Sequence, residues 1–307
     1  MEREAALEAE MIDVVICYKS GTSKMLNLCL SSFFRHTPEK EVRVHVVMDI
    51  KDDVDILELL DEYPVVHRMY PVMKGPSVSS AHRQLLDAVF ESVDSPLFLT
   101  MDSDCFPVSD GWLDLLKKNM GEGVLSGIAH PWPAPPEDLD EDTIEWRVLS
   151  QMWYQFPHVA CTLAKREFIE NNNLKFSHGD DTGFDIVKEA FERGVCGDTV
   201  MPTCCAMPDE PKGRDAELNR YVSIVFGDAI YHHGGASRQQ SEGFAGLDEM
   251  FSRARGRVLE EGAEFLLMDG HRYSFAREEI VIKHRLSFLR RQMVAFLSTH
   301  ERLFNEG

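Results

Sequence analysis

The chain has 307 residues, 44% of them hydrophobic and 27% charged, which suits a soluble globular protein of one large or two modest domains. Its 52 acidic residues outnumber 32 basic ones, and the net charge of −20 disfavours a nucleic-acid polymer as partner, since phosphate backbones are bound through lysine and arginine. No apolar run reaches the length of a membrane span, and the acidic start Met1-Glu-Arg-Glu lacks the basic-then-apolar pattern of a signal peptide, so a cytoplasmic protein is expected.

The first expected element is a buried-type strand from Ile12 to Cys17, followed by the turn Tyr18-Lys-Ser-Gly-Thr-Ser23, whose hydroxyls are available as helix caps. Met25, Leu26, Leu28, Leu30 and Phe33 then recur at helical spacing. Val42, Val44 and Val46 alternate in a second strand that closes on Met48-Asp49. A helix from Ser80 to Val93, with Leu85, Leu86, Val89 and Phe90 as its apolar stripe, precedes a third strand from Leu97 to Met101. Asp102-Ser103-Asp104 closes that strand. Two carboxylates one residue apart on a strand end suit a hard divalent cation such as Mg²⁺ or Mn²⁺. Alternating strands and helices imply a mostly parallel α/β sheet, in which ligands bind at the carboxyl ends of the strands. Tyr18, Asp49 and Asp102 all fall at such ends.

Further along, Ile128-Ala-His-Pro-Trp-Pro-Ala-Pro-Pro136 is followed by Trp146, Trp153, Tyr154 and Phe156. Aromatic faces pack against the apolar faces of ring-shaped ligands, so Trp132 and Trp153 are candidate binding residues, though helix-core packing explains Trp146 and Trp153 equally well. The acidic run from Pro136 to Asp142 has no preceding strand to hold it and reads as solvated surface. His158 to Arg166 reads as a strand running into a helix. In Phe176-Ser-His-Gly-Asp-Asp-Thr-Gly-Phe-Asp185, Asp180 and Asp181 stand at the start of an amphipathic helix that closes on Arg193-Gly194. Val225 to Ser237 reads as a strand entering His232-His233-Gly-Gly. Asp215 to Tyr221 is polar and loop-like. Leu286, Leu289, Met293, Phe296 and Leu297 form a C-terminal helical stripe that either covers the main domain or pairs with a second copy. The seven cysteines include no Cys-x-x-Cys pair and read as ordinary thiols in a reducing compartment.

Four stretches together resemble the GT-A fold glycosyltransferases, in particular those of family 2. They are Val14-Val-Ile-Cys-Tyr18, Val44-His-Val-Val-Met-Asp49, Ser80-Ala-His-Arg83 and Leu97-Phe-Leu-Thr-Met-Asp-Ser-Asp104. The resemblance implies a GT-A fold, with a mostly parallel central sheet flanked by helices, and a nucleotide-diphosphate sugar as donor. It places the nucleotide against Tyr18, Asp49, Arg83, Asp102 and Ser103, with Ser237 reaching a phosphate. Asp104 becomes the principal ligand of a Mn²⁺ or Mg²⁺ ion, joined by Asp102 and by His232 or His233, of which His232 matches the family's His-x-Gly pattern better. Asp181 matches the family's general base, and Asp180 replaces its neighbouring glutamate. Transfer to the hydroxyl of a small or peripheral acceptor with inversion is then expected. The implied layout is a catalytic domain over 1–270, divided into a nucleotide-sugar half (about 11–108) and an acceptor half (about 109–270), with a helical C-terminal extension over 271–307.

Two other readings use the same residues. A haloacid-dehalogenase-like phosphatase would make Asp102 a phosphoryl-accepting nucleophile, Asp104 the acid/base and Asp181 a magnesium ligand, but leaves His232 unused. An inactive GT-A-like module would bind nucleotide sugar without turnover.

Overall fold

Strand segments built from near-continuous apolar runs are stable only when both faces are covered, and this decides the architecture. The computed structural model describes residues 11–51, 56–73, 79–130, 156–179, 182–207, 223–233 and 271–274. In it β1 (Ile12–Cys17), β2 (Val42–Asp49), β3 (Val65–Tyr70) and β4 (Leu97–Asp102) run parallel, with β1 between β2 and β4. Helices α1 (Ser23–His36), α2 (Ile56–Leu60) and α3 (Ser79–Phe90) lie between successive strands of this set in the chain. Two more strands extend the sheet beyond β4. They are β7 (Phe156–Lys165), antiparallel to β4, and β6 (Leu125–His130), antiparallel to β7. The six-stranded order is β3-β2-β1-β4-β7-β6. The mostly parallel α/β sheet flanked by helices is therefore present.

Because side chains alternate across a strand, β1 feeds two cores. Ile12, Val14 and Ile16 pack with Met25, Leu30 and Phe33 of α1 and with Trp112 and Leu116 of α4 (Trp112–Met120). Val15, on the other face, packs with Leu85, Leu86, Val89 and Phe90, the expected stripe of α3, and with Phe168 and Ile186. Those two belong to α5 (Arg166–Asn171) and α6 (Phe184–Glu192). Helix α3 stops short of the expected Val93, and the Ser92 hydroxyl donates to the Val89 carbonyl (2.8 Å) just past its end. Thr22 precedes α1 but does not cap it with its side chain. Its hydroxyl donates back to the Lys19 carbonyl at 2.6 Å and closes the turn instead.

A second, antiparallel sheet has the order β11-β8-β9-β10-β5. Its strands are β5 (Cys105–Pro107), β8 (Pro202–Met207), β9 (Ser223–Phe226), β10 (Ile230–His233) and β11 (His271–Ser274). β11 pairs with β8, so this sheet takes in residues just beyond the expected boundary at 270. The C-terminal helical stripe from Leu286 to Leu297 lies outside the described residues. No helix among the described residues is long and apolar enough to cross a membrane.

The sheet's amino-terminal edge is locked by a buried charge. Asp13 is fully buried, and its Oδ1 accepts from Arg43 Nε and lies 2.7 Å from His45 Nε2, while Oδ2 accepts from Arg43 Nη2 and the Ser95 amide. Arg68 Nε donates to His45 Nδ1 at 3.0 Å, which leaves Nε2 to carry the ring proton toward Asp13. One carboxylate thus ties together β1, β2, β3 and the segment leading into β4. Burial alone would raise the Asp13 carboxyl, but the hydrogen bonds from His45, Arg43 and Ser95 outweigh it and hold the group far below the usual carboxylate range.

Asp13→Asn should cost about 3 kcal/mol at pH 7, because it leaves a buried, charge-paired network without its anion. The unfolded carboxyl takes up a proton near about pH 3.9, whereas the folded one stays ionised well below that. Stability contributed by Asp13 is therefore complete above about pH 5 and declines as the pH falls through the acid range. Urea unfolding at pH 7 and pH 3 should show the gap between wild type and Asp13→Asn narrowing by about 1 kcal/mol at the lower pH.

Candidate active site

The two aspartates stand where the chain leaves one sheet for the other. β4 ends on Asp102, Ser103 and Asp104 form the turn, and Cys105 opens β5 of the second sheet. Ser103 and Asp104 are buried, and the Asp102 side chain is about a quarter exposed (28%). β10 lies antiparallel to β5 with His232 opposite Cys105, and the His233 amide donates to the Asp104 carbonyl at 2.9 Å. This pairing carries His232 to the turn, where its Nε2 lies 3.8 Å from Asp104 Oδ1. One ligand atom each from Asp102, Asp104 and His232 fall within 4.8 Å of one another. The His232 ring also lies 5.7 Å, centroid to centroid, from that of His158 on β7.

Adjacent residues of a strand point to opposite faces, so β10 delivers one histidine to this cluster and not both. His233 is fully buried with its Nδ1 2.8 Å from the Tyr231 hydroxyl, and is not part of the group.

Parallel pairing brings the other strand ends to the same edge. Cys17 is in register with Asp102, and the Tyr18 amide continues the ladder to the Val47 carbonyl at 2.8 Å. Tyr18 itself is buried within the α1-side core. Asp49 ends β2, and its Oδ1 accepts from the amides of Lys51 (3.2 Å) and Val72 (3.4 Å), bracing the loops after β2 and β3.

Three thiols underlie the aspartates. Burial pushes the thiols of Cys17, Cys29 and Cys105 well up, with the charge of Asp102 adding at Cys17, and Cys161, Asp104 and Asp102 adding at Cys29 and Cys105. Burial, then Asp198, likewise raises Cys196 to about 12. None of these thiols belongs to the cluster of Asp102, Asp104 and His232. The donors left at the turn are two carboxylates and an imidazole, a hard set that fits Mn²⁺ or Mg²⁺ better than a thiophilic ion.

Helix α3 joins this edge to the segment that carries the acidic pair. Arg83 Nη1 donates to the Gly179 carbonyl at 3.0 Å. One turn later Asp87 accepts from the amides of Phe176 (2.7 Å) and Ser177 (3.3 Å). Gly179 adopts φ +81°, and a Cβ there would sit 2.5 Å from Asp185 Oδ1, so this bend favours glycine on two counts. Asp180 and Asp181 themselves lie outside the described residues, as do Ser237, Trp132 and Trp153. The expected helix after the pair begins later, at Phe184, with Gly183 at its N-cap in the left-handed conformation (φ +67°). Its first-turn acid is Asp185.

Sequence reasoning passed over three residues of α3. His82 Nε2 lies 3.4 Å from Asp102 Oδ1, Gln84 exchanges hydrogen bonds with both the amide and the carbonyl of Met73, and Asp87 holds the 176–177 turn. The available signal was the four-residue spacing of Arg83 and Asp87 on a helix whose apolar stripe lies elsewhere.

No protein-family model matches this chain, and no curated protein matches it. Among solved structures it is similar to residues 1–349 of S. aureus TarS, at 12% identity and a TM-score of 0.41 over 62% of this chain and 58% of that one. It is also similar to the mannosyltransferase PcManGT from Pyrobaculum calidifontis in complex with GDP-Man and Mn²⁺, at 11% identity and a TM-score of 0.38, over 52% of this chain and 46% of that one. A third is 4-diphosphocytidyl-2C-methyl-D-erythritol synthase from Anaerococcus prevotii, at 15% identity and 0.43, over 64% and 88%. The chain thus spans 58% of the length of the TarS fragment.

Removing the carboxylate that holds the 176–177 turn should loosen it without melting the sheet. Asp87→Ala is expected to cost about 2 kcal/mol, the range for hydrogen bonds to a charged group. Hydrogen exchange should speed up selectively at the Phe176 and Ser177 amides, with β1 and β4 amides unaffected beyond the global change.

Proposed function

We propose that this chain is a metal-dependent GT-A-type glycosyltransferase that moves a sugar from a UDP- or GDP-linked donor to an acceptor hydroxyl with inversion. The observation that carries this reading is the meeting of Asp102, Asp104 and His232 at the carboxyl edge of a parallel sheet, beside the strand ends that hold Tyr18 and Asp49. Such an edge is where open α/β sheets bind nucleotides.

Asp104, Asp102 and His232 hold the divalent cation. When bound, that ion offsets the negative charge developing on the departing nucleoside diphosphate. Tyr18, Asp49, Arg83 and Ser103 serve the nucleotide side, and Ser237 a phosphate oxygen. Asp181 is assigned as the general base, with Asp180 beside it. The acceptor oxygen forms its bond to the anomeric carbon as the bond from that carbon to the diphosphate oxygen breaks, and the hydroxyl proton passes to the Asp181 carboxylate. A carboxylate suffices because the hydroxyl becomes acidic only as the new bond forms. Arg83 has a second task in this scheme: through Gly179 it steadies the approach to Asp180 and Asp181. Trp132 and Trp153 are assigned to the acceptor, a small or peripheral hydroxyl compound met in the cytoplasm. Residues 1–270 are assigned to catalysis, and the helix within 271–307 either to covering that domain or to pairing with a second copy. The phosphatase reading gives His232 no task, although β10 carries it to the aspartates.

A panel of nucleotide sugars should contain at least one UDP- or GDP-linked member that raises the melting temperature only when Mn²⁺ or Mg²⁺ is present, and Asp104→Ala should abolish that shift. With that donor, Asp181→Asn should lower kcat by about 100-fold or more, in line with the loss of a general base, while the donor-induced shift persists. NMR of the product should show the inverted anomer. Turnover of p-nitrophenyl phosphate without any donor response would contradict the proposal.

A further inference from the structure

Asp102 ends β4 with its side chain part-exposed (28%), and its carboxylate can rotate unless something holds it. Asp104 is fixed differently. It is buried, and its backbone is pinned by the His233 amide. His82, in the first turn of α3, approaches Asp102 from another element, with Nε2 3.4 Å from Oδ1 and only 23% of the side chain exposed. Its helix is anchored by Leu85, Leu86, Val89 and Phe90, so the ring approaches Asp102 from a rigid base. His82 does not belong to the three-residue cluster that Asp102 forms with Asp104 and His232.

The geometry points to His82 as the positioning residue of the cation site. It holds Oδ1 of Asp102 and so turns Oδ2 toward Asp104 and His232. This rests on the metal site proposed above and assigns the orientation of one of its ligands to a residue outside the ligand set. The chemistry has a general basis, since ligating carboxylates are themselves hydrogen-bonded by a neighbour that fixes which oxygen faces the ion.

The test is Mn²⁺ binding to the full chain, followed by the electron paramagnetic resonance signal of the free ion, with Mn²⁺ alone and with UDP or GDP present. His82→Ala should weaken Mn²⁺ binding by about 10-fold or more, the usual consequence of losing a partner behind a ligand. The metal-free melting temperature should stay within a degree or so of wild type, a surface-like response. His82→Gln places an amide N–H at a similar reach and should recover part of the lost affinity, which a purely structural role would not predict. If Asp104→Ala loses Mn²⁺ while His82→Ala binds it as wild type does, or if His82→Gln is no better than His82→Ala, the positioning role is overturned and the metal site stands. If wild type binds no Mn²⁺ under any of these conditions, or Asp104→Ala binds as well as wild type, both fall together.

Discussion

The hydrogen bond from the His233 amide to the Asp104 carbonyl, with the β5–β10 pairing it extends, is the contact on which the site depends. β5 is three residues long and has one partner in its sheet, β10. Without that pairing, the turn after β4 would keep its two aspartates and the nearby His82 but would lose His232. With it, His232 from late in the chain sits opposite Cys105 and reaches Asp104. Backbone pairing fixes this position more firmly than side-chain contacts would, because register determines which of two adjacent histidines faces the carboxylates.

Helix α3 does a second job of the same kind. Its apolar stripe is committed to the core against Val15 and Phe98, and this frees the rest of its surface for directed polar contacts. His82 addresses Asp102, Arg83 addresses Gly179, Gln84 addresses Met73 and Asp87 addresses the 176–177 amides. The carboxylate turn and the approach to the acidic pair are therefore referred to one rigid body. Asp13 secures the opposite end of the strands, where it anchors β1, β2 and β3 far from the chemistry. A sheet locked at one edge by a buried ionic network leaves its other edge free for polar residues.

Much of this was legible in the sequence, and the reasons are local. Period-two and period-3.6 patterns located β1, β2, β4, α1 and α3, because burial on a sheet face or helix stripe writes itself into spacing. Asp-x-Asp after an apolar strand located the turn. The His-x-Gly pattern leaned to His232 over His233, but the physical reason was not legible, since it lies in the register of β10 against β5, a pairing between segments far apart in the chain. Asp13 was equally silent. A charged residue inside an apolar run looks like an interruption until Arg43, His45 and Arg68 on neighbouring strands are known to face it. Thr22 illustrates the converse, a residue with cap chemistry that uses its hydroxyl to close the preceding turn.

The most direct test of the account is crystallographic. Crystals grown or soaked with Mn²⁺ and UDP or GDP, measured at the manganese absorption edge, should give an anomalous difference peak bounded by Asp102, Asp104 and His232. The His233 ring should stay with Tyr231 and away from the peak. A peak elsewhere, a peak held by His233 in place of His232, or none at the Asp102–Asp104 turn would contradict it.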